Sequence, residues 1–148
     1  MSNINTHTFS VIVDNKSGVL SRVVGMFAAR GYNIESLTVA EVDEDRNLSR
    51  ITVMVTGTAM VIEQIKAQLE RIVPVRKAVD FNNERAYVNR ELVLVKVKAR
   101  GERRVESLRV ADNFSARVIE STNQSFVFEL TGSAEKLDAF IKLMHPLG

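Results

Sequence analysis

Asp14-Asn-Lys-Ser-Gly-Val-Leu-Ser-Arg-Val-Val-Gly-Met-Phe-Ala-Ala-Arg-Gly31 is the stretch whose reading decides the fold. Asp14 to Gly18 is turn chemistry, with Asn15 and Ser17 as candidate caps for a helix. Val19, Leu20, Val23, Val24, Phe27 and Ala28 then recur at helical spacing. Gly31 suits the left-handed position that ends a helix. Immediately upstream, Thr8 to Asp14 is β-branched and aromatic and reads as a buried strand.

Working outward, Asn33 to Val42 reads as a second strand, Asp43 to Asn47 as a polar turn, and Leu48 to Gly57 as a third strand rich in Ile, Val and Thr. Val61, Ile65, Leu69 and Ile72 form the stripe of a second helix capped by Thr58; Pro74 marks its end, and Val75 to Phe81 gives a fourth strand. The order is βαββαβ. Asn82 to Asn89 is polar and reads as a linker, after which the order begins again. Glu91 to Ala99 alternates as a half-buried strand, and Arg103 to Asn113 forms a helix with Val105, Leu108 and Ala111 inward. Ala116 to Ser121 and Phe126 to Thr131 make a hairpin around Thr122 to Ser125. Ser133 caps a last helix that buries Leu137, Phe140, Ile141 and Met144. The expected class is α+β: two ferredoxin-like βαββαβ domains, 1–81 and 82–148, each an antiparallel sheet covered on one face by two helices. The second lacks its last strand, because the chain stops at His145-Pro-Leu-Gly148. Units of this size bury only ~60% of their unfolded surface, and their open sheet edges predict association.

Composition narrows the function. Of 148 residues, 45% are hydrophobic and 26% charged, ordinary for a globular protein. No run approaches the ~18 apolar residues of a membrane span. Met1 to Thr8 carries neither a signal nor a transit pattern, so the expected location is the cytoplasm. The absence of cysteine removes disulfides, thiolate metal sites and cysteine nucleophiles. His7 and His145 each lack a neighbouring ligand and read as incidental surface residues. There is no phosphate loop and no Gly-x-Gly-x-x-Gly. Asp43, Glu44 and Asp45 form a solvated turn without calcium-loop spacing. No nucleophile–base or metal constellation points to an enzyme. RNA-recognition modules share the βαββαβ order, but they carry aromatics on the sheet; the third strand here, Leu48 to Val55, has none. The net charge of +2 and pI of about 9.1 do not by themselves argue for nucleic acid. Arg85, Arg90, Lys96, Lys98, Arg100, Arg103, Arg104 and Arg109 crowd together in sequence, as a solvated edge and helix face or as a docking surface for an acidic partner.

What remains is the first strand–helix junction. The free N–H groups and dipole of a helix start attract a carboxylate, and Gly18 lets a ligand approach the backbone. Asn33 opens the next strand and is placed near the same junction; its amide both donates and accepts, as an amino acid requires. On these residues alone, a capped helix start after a turn is the plainer reading.

The run from Asp14 through Tyr32-Asn-Ile-Glu-Ser-Leu-Thr-Val39 resembles the opening of the small regulatory subunit of acetohydroxyacid synthase, also called acetolactate synthase. Leu48-Ser-Arg-Ile-Thr-Val53, Arg90-Glu-Leu-Val-Leu-Val-Lys-Val97 and Lys136-Leu-Asp-Ala-Phe140 match further signatures of that family, so the resemblance spans nearly the whole chain. It implies that 1–81 is an ACT domain for effector binding and dimerisation, and 82–148 a regulatory domain. It also implies a homodimer paired edge to edge with valine or another branched-chain amino acid at the interface, at Asn15, Gly18, Val19 and Leu20 and, across the interface, Asn33 and Ile34. The implied partner is the large catalytic subunit. Thiamine diphosphate, a divalent metal and FAD belong on that subunit, and none on this chain. No nucleic acid or membrane partner is implied. The function implied is activation and end-product feedback inhibition of valine, leucine and isoleucine biosynthesis. An amino-acid-sensing subunit of another enzyme is one alternative, and an RNA-binding βαββαβ module is the alternative from a different class.

Overall fold

The computed structural model describes residues 3–83 and 86–148. The chain divides into two compact units, Met1–Tyr87 and Val88–Gly148. The first runs β1 (Asn5–Asp14), α1 (Val19–Ala29), β2 (Ile34–Asp43), β3 (Leu48–Gly57), α2 (Ala59–Glu70) and β4 (Val75–Asp80). Its sheet is antiparallel, in the order β2-β3-β1-β4. Period-two alternation sends Phe9, Val11 and Val13 of β1 to the same face as Ile51, Val53 and Val55 of β3, and the register sets Phe9 against Val53 and Val11 against Ile51. All six are essentially excluded from solvent. The two helices cover that face with Val23, Met26 and Phe27 from α1 and Ile62, Ile65 and Leu69 from α2. Each such side chain contributes about 1.5–3 kcal/mol of burial. Thr58 caps α2 as its sequence predicts, its hydroxyl accepting from the Val61 amide at 3.3 Å.

The second unit runs β5 (Glu91–Lys98), α3 (Glu102–Asn113), β6 (Arg117–Ser121), β7 (Ser125–Gly132) and α4 (Ala134–Met144). Its antiparallel sheet, in the order β5-β7-β6, has three strands among the described residues. The core is aromatic: Phe128 stands edge-on to Phe140, with ring centroids 6.1 Å apart, and Phe114 stands edge-on to Phe140 at 5.4 Å. Ser133 caps α4 through the Lys136 amide.

Two helix faces differ from the sequence expectation. In α3 the inward residues are Ser107, Val110 and Ala111, while Val105 is 68% exposed and Leu108 lies outward. The small Ser107 is tolerated inside because its hydroxyl donates to the Arg104 carbonyl at 2.7 Å, so no polar group is left unpaired. In α4, Leu137, Phe140 and Met144 are buried but Ile141 is exposed, one position off the strict i, i+3, i+7 stripe. His7 is not incidental: its Nδ1 lies 2.9 Å from the carboxylate of buried Asp80, which also accepts from the Asn82 amide and Asn83 Nδ2. Burying a carboxylate requires such partners. Arg85 and part of the 82–89 linker lie outside the described residues. No helix is long and apolar enough to cross a membrane.

Candidate functional site

The β1–α1 junction is built by a loop clamped from two sides. The Asp14 amide donates to the Pro74 carbonyl at 2.9 Å, and the Asn15 amide to the Asn47 carbonyl at 2.8 Å. Asn47, itself in the left-handed region at φ +56°, returns a hydrogen bond from its side chain to the Asn15 carbonyl. The Asp14 carboxylate receives the Arg76 Nε at 2.7 Å. These bonds fix the backbone of Asn15 and leave its exposed side chain without a hydrogen bond among the described residues.

Neither Asn15 nor Ser17 caps α1. The N-cap is Gly18, at φ +82° and ψ −6°, and no side chain satisfies the helix start. A helix leaves its first amides without internal partners; those of Leu20 and Ser21 have none among the described residues. This is a pre-formed pair of donors at the positive end of a helix dipole. A Cβ added to Gly18 would meet nothing within 4 Å, so the backbone at Gly18 is open to approach. Val19 is buried in the core, whereas Leu20, the next residue, is 41% exposed.

Asn33 and Ile34 are not part of that junction within one chain, contrary to the expectation for Asn33. The register sets Asp14 against Leu48 but Ile34 against Val55. Seven residues of β3 separate the two ends, roughly 23 Å at ~3.3 Å per residue. Asn33 is exposed, and its Nδ2 donates to the Glu35 carboxylate at 3.1 Å. It lines a cleft of about 450 Å³ with Arg30, Tyr32, Thr58 and Val61. The sequence marks this helix start and Gly18 as candidates, and the structure specifies the donors available there as the uncapped amides of Leu20 and Ser21. Among the described residues, no group of three or more His, Asp or Glu stands together as a metal site would require.

Asp14 gives the junction a pH dependence. The hydrogen bond from Arg76 holds its carboxyl below the ordinary 3.8; partial burial opposes this, and the charges of Arg76 and Lys16 add to the lowering. A carboxyl whose folded pKa lies below its unfolded one adds stability above about pH 4, and that stability is lost as pH falls through the folded value. Arg76→Met should move the Asp14 titration upward, as followed by carboxyl carbon NMR. An unchanged titration would show that the pair does not hold the loop.

Comparison with known proteins covers both units. The family description "AHAS small subunit-like ACT domain" matches residues 9–77, and "Small subunit of acetolactate synthase" matches residues 90–148. The chain is 46% identical over 135 residues to the acetolactate synthase small subunit of Haemophilus influenzae, covering 91% of this chain and 82% of that one. It is 45% identical over 132 residues to the isozyme 3 small subunit of Escherichia coli, covering 89% and 80%. The crystal structure of the small subunit from Thermotoga maritima superposes with a TM-score of 0.84 at 36% identity, over 94% of this chain and 86% of that one.

Proposed function

The chain belongs to the small subunits of acetolactate synthase, a regulatory and not a catalytic family, and from that membership we propose that it binds a branched-chain amino acid, valine first, at the α1 start and transmits its presence to the large catalytic subunit. The observation that carries this reading is the uncapped helix start behind Gly18, open in front and flanked by apolar Leu20. A carboxylate satisfies the Leu20 and Ser21 amides, and an isopropyl group lies against Leu20. The thiamine diphosphate, metal and FAD of the reaction belong, in this reading, to the catalytic partner.

The reading needs a homodimer. β2 is one of the two outer strands of the first sheet, and Leu37, Val39 and Val42 are exposed along it. Pairing two β2 strands about a two-fold axis makes them antiparallel. That operation carries Asn33 and Ile34 of one copy to the end where β2 of the other finishes, beside its Gly18. The separation found within one chain is therefore the arrangement a two-fold site requires. Sedimentation should show a dimer at micromolar concentration. Leu37→Lys with Val39→Lys, charges on an edge strand being a barrier to pairing, should give a folded monomer that has lost valine binding. A monomer that still binds valine with wild-type affinity would place the site wholly within one chain and defeat the two-fold reading.

A further inference from the structure

The regulatory reading leaves the basic stretch of the second unit unused, and the structure sorts its members. Arg109 pairs with Glu106. Arg104 lies over the Phe126 ring, 3.8 Å from its centroid, and donates to the Ser121 hydroxyl. Arg90 donates to the Asn89 carbonyl. Lys96, Lys98, Arg100 and Arg103 have no ion-pair or hydrogen-bond partner among the described residues, and the first three of these line one cavity of about 670 Å³. Lys96 and Lys98 stand two apart on β5, so they point to the same face roughly 7 Å from each other.

The β6–β7 turn, which leads into the strand paired with the end of β5, lines the same cavity and is closely hydrogen-bonded. Thr122 Oγ1 accepts from the Gln124 and Ser125 amides at 3.2 and 3.0 Å, and the Thr122 amide donates to the Ser125 carbonyl at 2.9 Å. The Ala99 amide donates to the Gln124 carbonyl at 3.0 Å, which ties the turn to the end of β5. Asn123 and Gln124 present side-chain amides to the same space, and no carboxylate lines it. Three like charges lining one cavity, with no carboxylate side chain among its lining residues, repel one another, and a polyvalent anion relieves that repulsion.

We propose that this cavity binds a phosphate-bearing small molecule. A phosphate group brings about −1.5 to −2 charges and three acceptor oxygens. That matches three cations with amide donors beside them, whereas a single carboxylate leaves most of the positive charge unanswered. The two lysines serve phosphate as point charges, and Arg100 adds a planar fork able to hold a phosphate in a bidentate way. The assignment concerns the second unit and does not rest on the effector reading of Gly18.

The test uses the full chain, titrated at low salt with inorganic phosphate and with pyrophosphate, followed by backbone amide NMR and calorimetry. Saturable shifts are expected at residues 96–100 and 122–125, with affinity falling as salt rises. Lys96→Gln and Lys98→Gln should each weaken binding roughly tenfold, while Lys142→Gln, a lysine of α4 outside the cavity, leaves it unchanged. Malonate, a dicarboxylate of similar charge, should bind more weakly; equal affinity would overturn the phosphate assignment. Wild-type affinity in the Lys96→Gln, Lys98→Gln double variant would overturn the site. So would absence of phosphate binding combined with loss of catalytic-subunit association in that variant, which would make the cavity a docking surface for an acidic protein segment.

Discussion

Phe128→Ala is expected to destabilise the second unit by about 3–5 kcal/mol and to unfold it while the first unit stays folded. Phe128 is fully buried, 6.1 Å from Phe140 edge-on and 5.5 Å from Phe126. Removing it takes the centre out of an aromatic cluster set among Val97, Leu130, Leu137 and Met144, and in a close-packed core such neighbours only partly refill the space. The cost includes lost transfer energy, an unfilled cavity and two ring–ring contacts of about 0.5–1.5 kcal/mol each. A domain's net stability is only about 5–15 kcal/mol, and a unit this small sits near the low end. The two hydrophobic cores share no residue, so the loss is confined. Hydrogen exchange should show the amides of β5, β7 and α4 losing protection while those of β1 and β3 keep it. One cooperative transition shifting both sets together would show that the units do not unfold separately. Val105→Ala, at a site the sequence marks as inward but the structure leaves 68% exposed, should change stability by less than about 0.5 kcal/mol.

The contrast between these two substitutions shows what the sequence carries and what it does not. Strands announce themselves by composition and alternation, which is why Thr8 to Asp14 is legible as a buried strand and Glu91 to Ala99 as a half-buried one. The α4 stripe is legible for a similar reason, apart from Ile141. The inward face of α3 is only partly legible: Ala111 is inward as its spacing predicts, but Ser107 and Val110 complete the face, and Ser107 is tolerated there because its hydroxyl is satisfied by its own helix. Hydrophobicity alone picks out Val105 and Leu108 in their place. The same limit applies at the candidate site. Asn15 and Ser17 are good capping residues by type, yet the left-handed Gly18 and the clamp from Asn47 turn the loop so that neither reaches the helix. That clamp spans 32 positions in sequence, so no local pattern shows it. The position of Asn33 is likewise a matter of register. Its type suits an amino acid's polar groups, but only the pairing of β2 with β3 shows that it lies at the far end of the sheet from the β1–α1 junction, so that it meets a helix start only in the homodimer we propose.

Gly18→Asp should abolish the response to valine, weakening binding by about a hundredfold or more while the chain remains folded. Gly18 sits at φ +82°, where an L residue costs about 1–2 kcal/mol but Asp and Asn are among the better tolerated. No neighbour lies within 4 Å of the new Cβ, so the fold has no clash to resolve. The side chain instead enters the open space before the Leu20 and Ser21 amides. Aspartate is a favoured N-cap, so the new carboxylate takes the donors that a bound amino acid would use and opposes its charge. Losing a charge-assisted hydrogen bond, about 1.5–3 kcal/mol, together with the helix-terminus attraction of up to ~2 kcal/mol, gives the hundredfold figure. Gly18→Ala separates these causes from backbone strain: it shares the strained φ but adds no charge and no cap, and should retain most of the binding. Calorimetry of the three proteins with valine is the direct measurement, and the reconstituted holoenzyme across a valine series is the functional one. Feedback is a coupling free energy, typically ~1–3 kcal/mol, so a subunit that cannot bind valine cannot inhibit, yet still activates wherever docking uses another surface. Equal valine affinity in wild type and Gly18→Asp would remove the helix start from the site. Equal loss in Gly18→Ala and Gly18→Asp would assign the effect to backbone geometry and not to the carboxylate-binding amides.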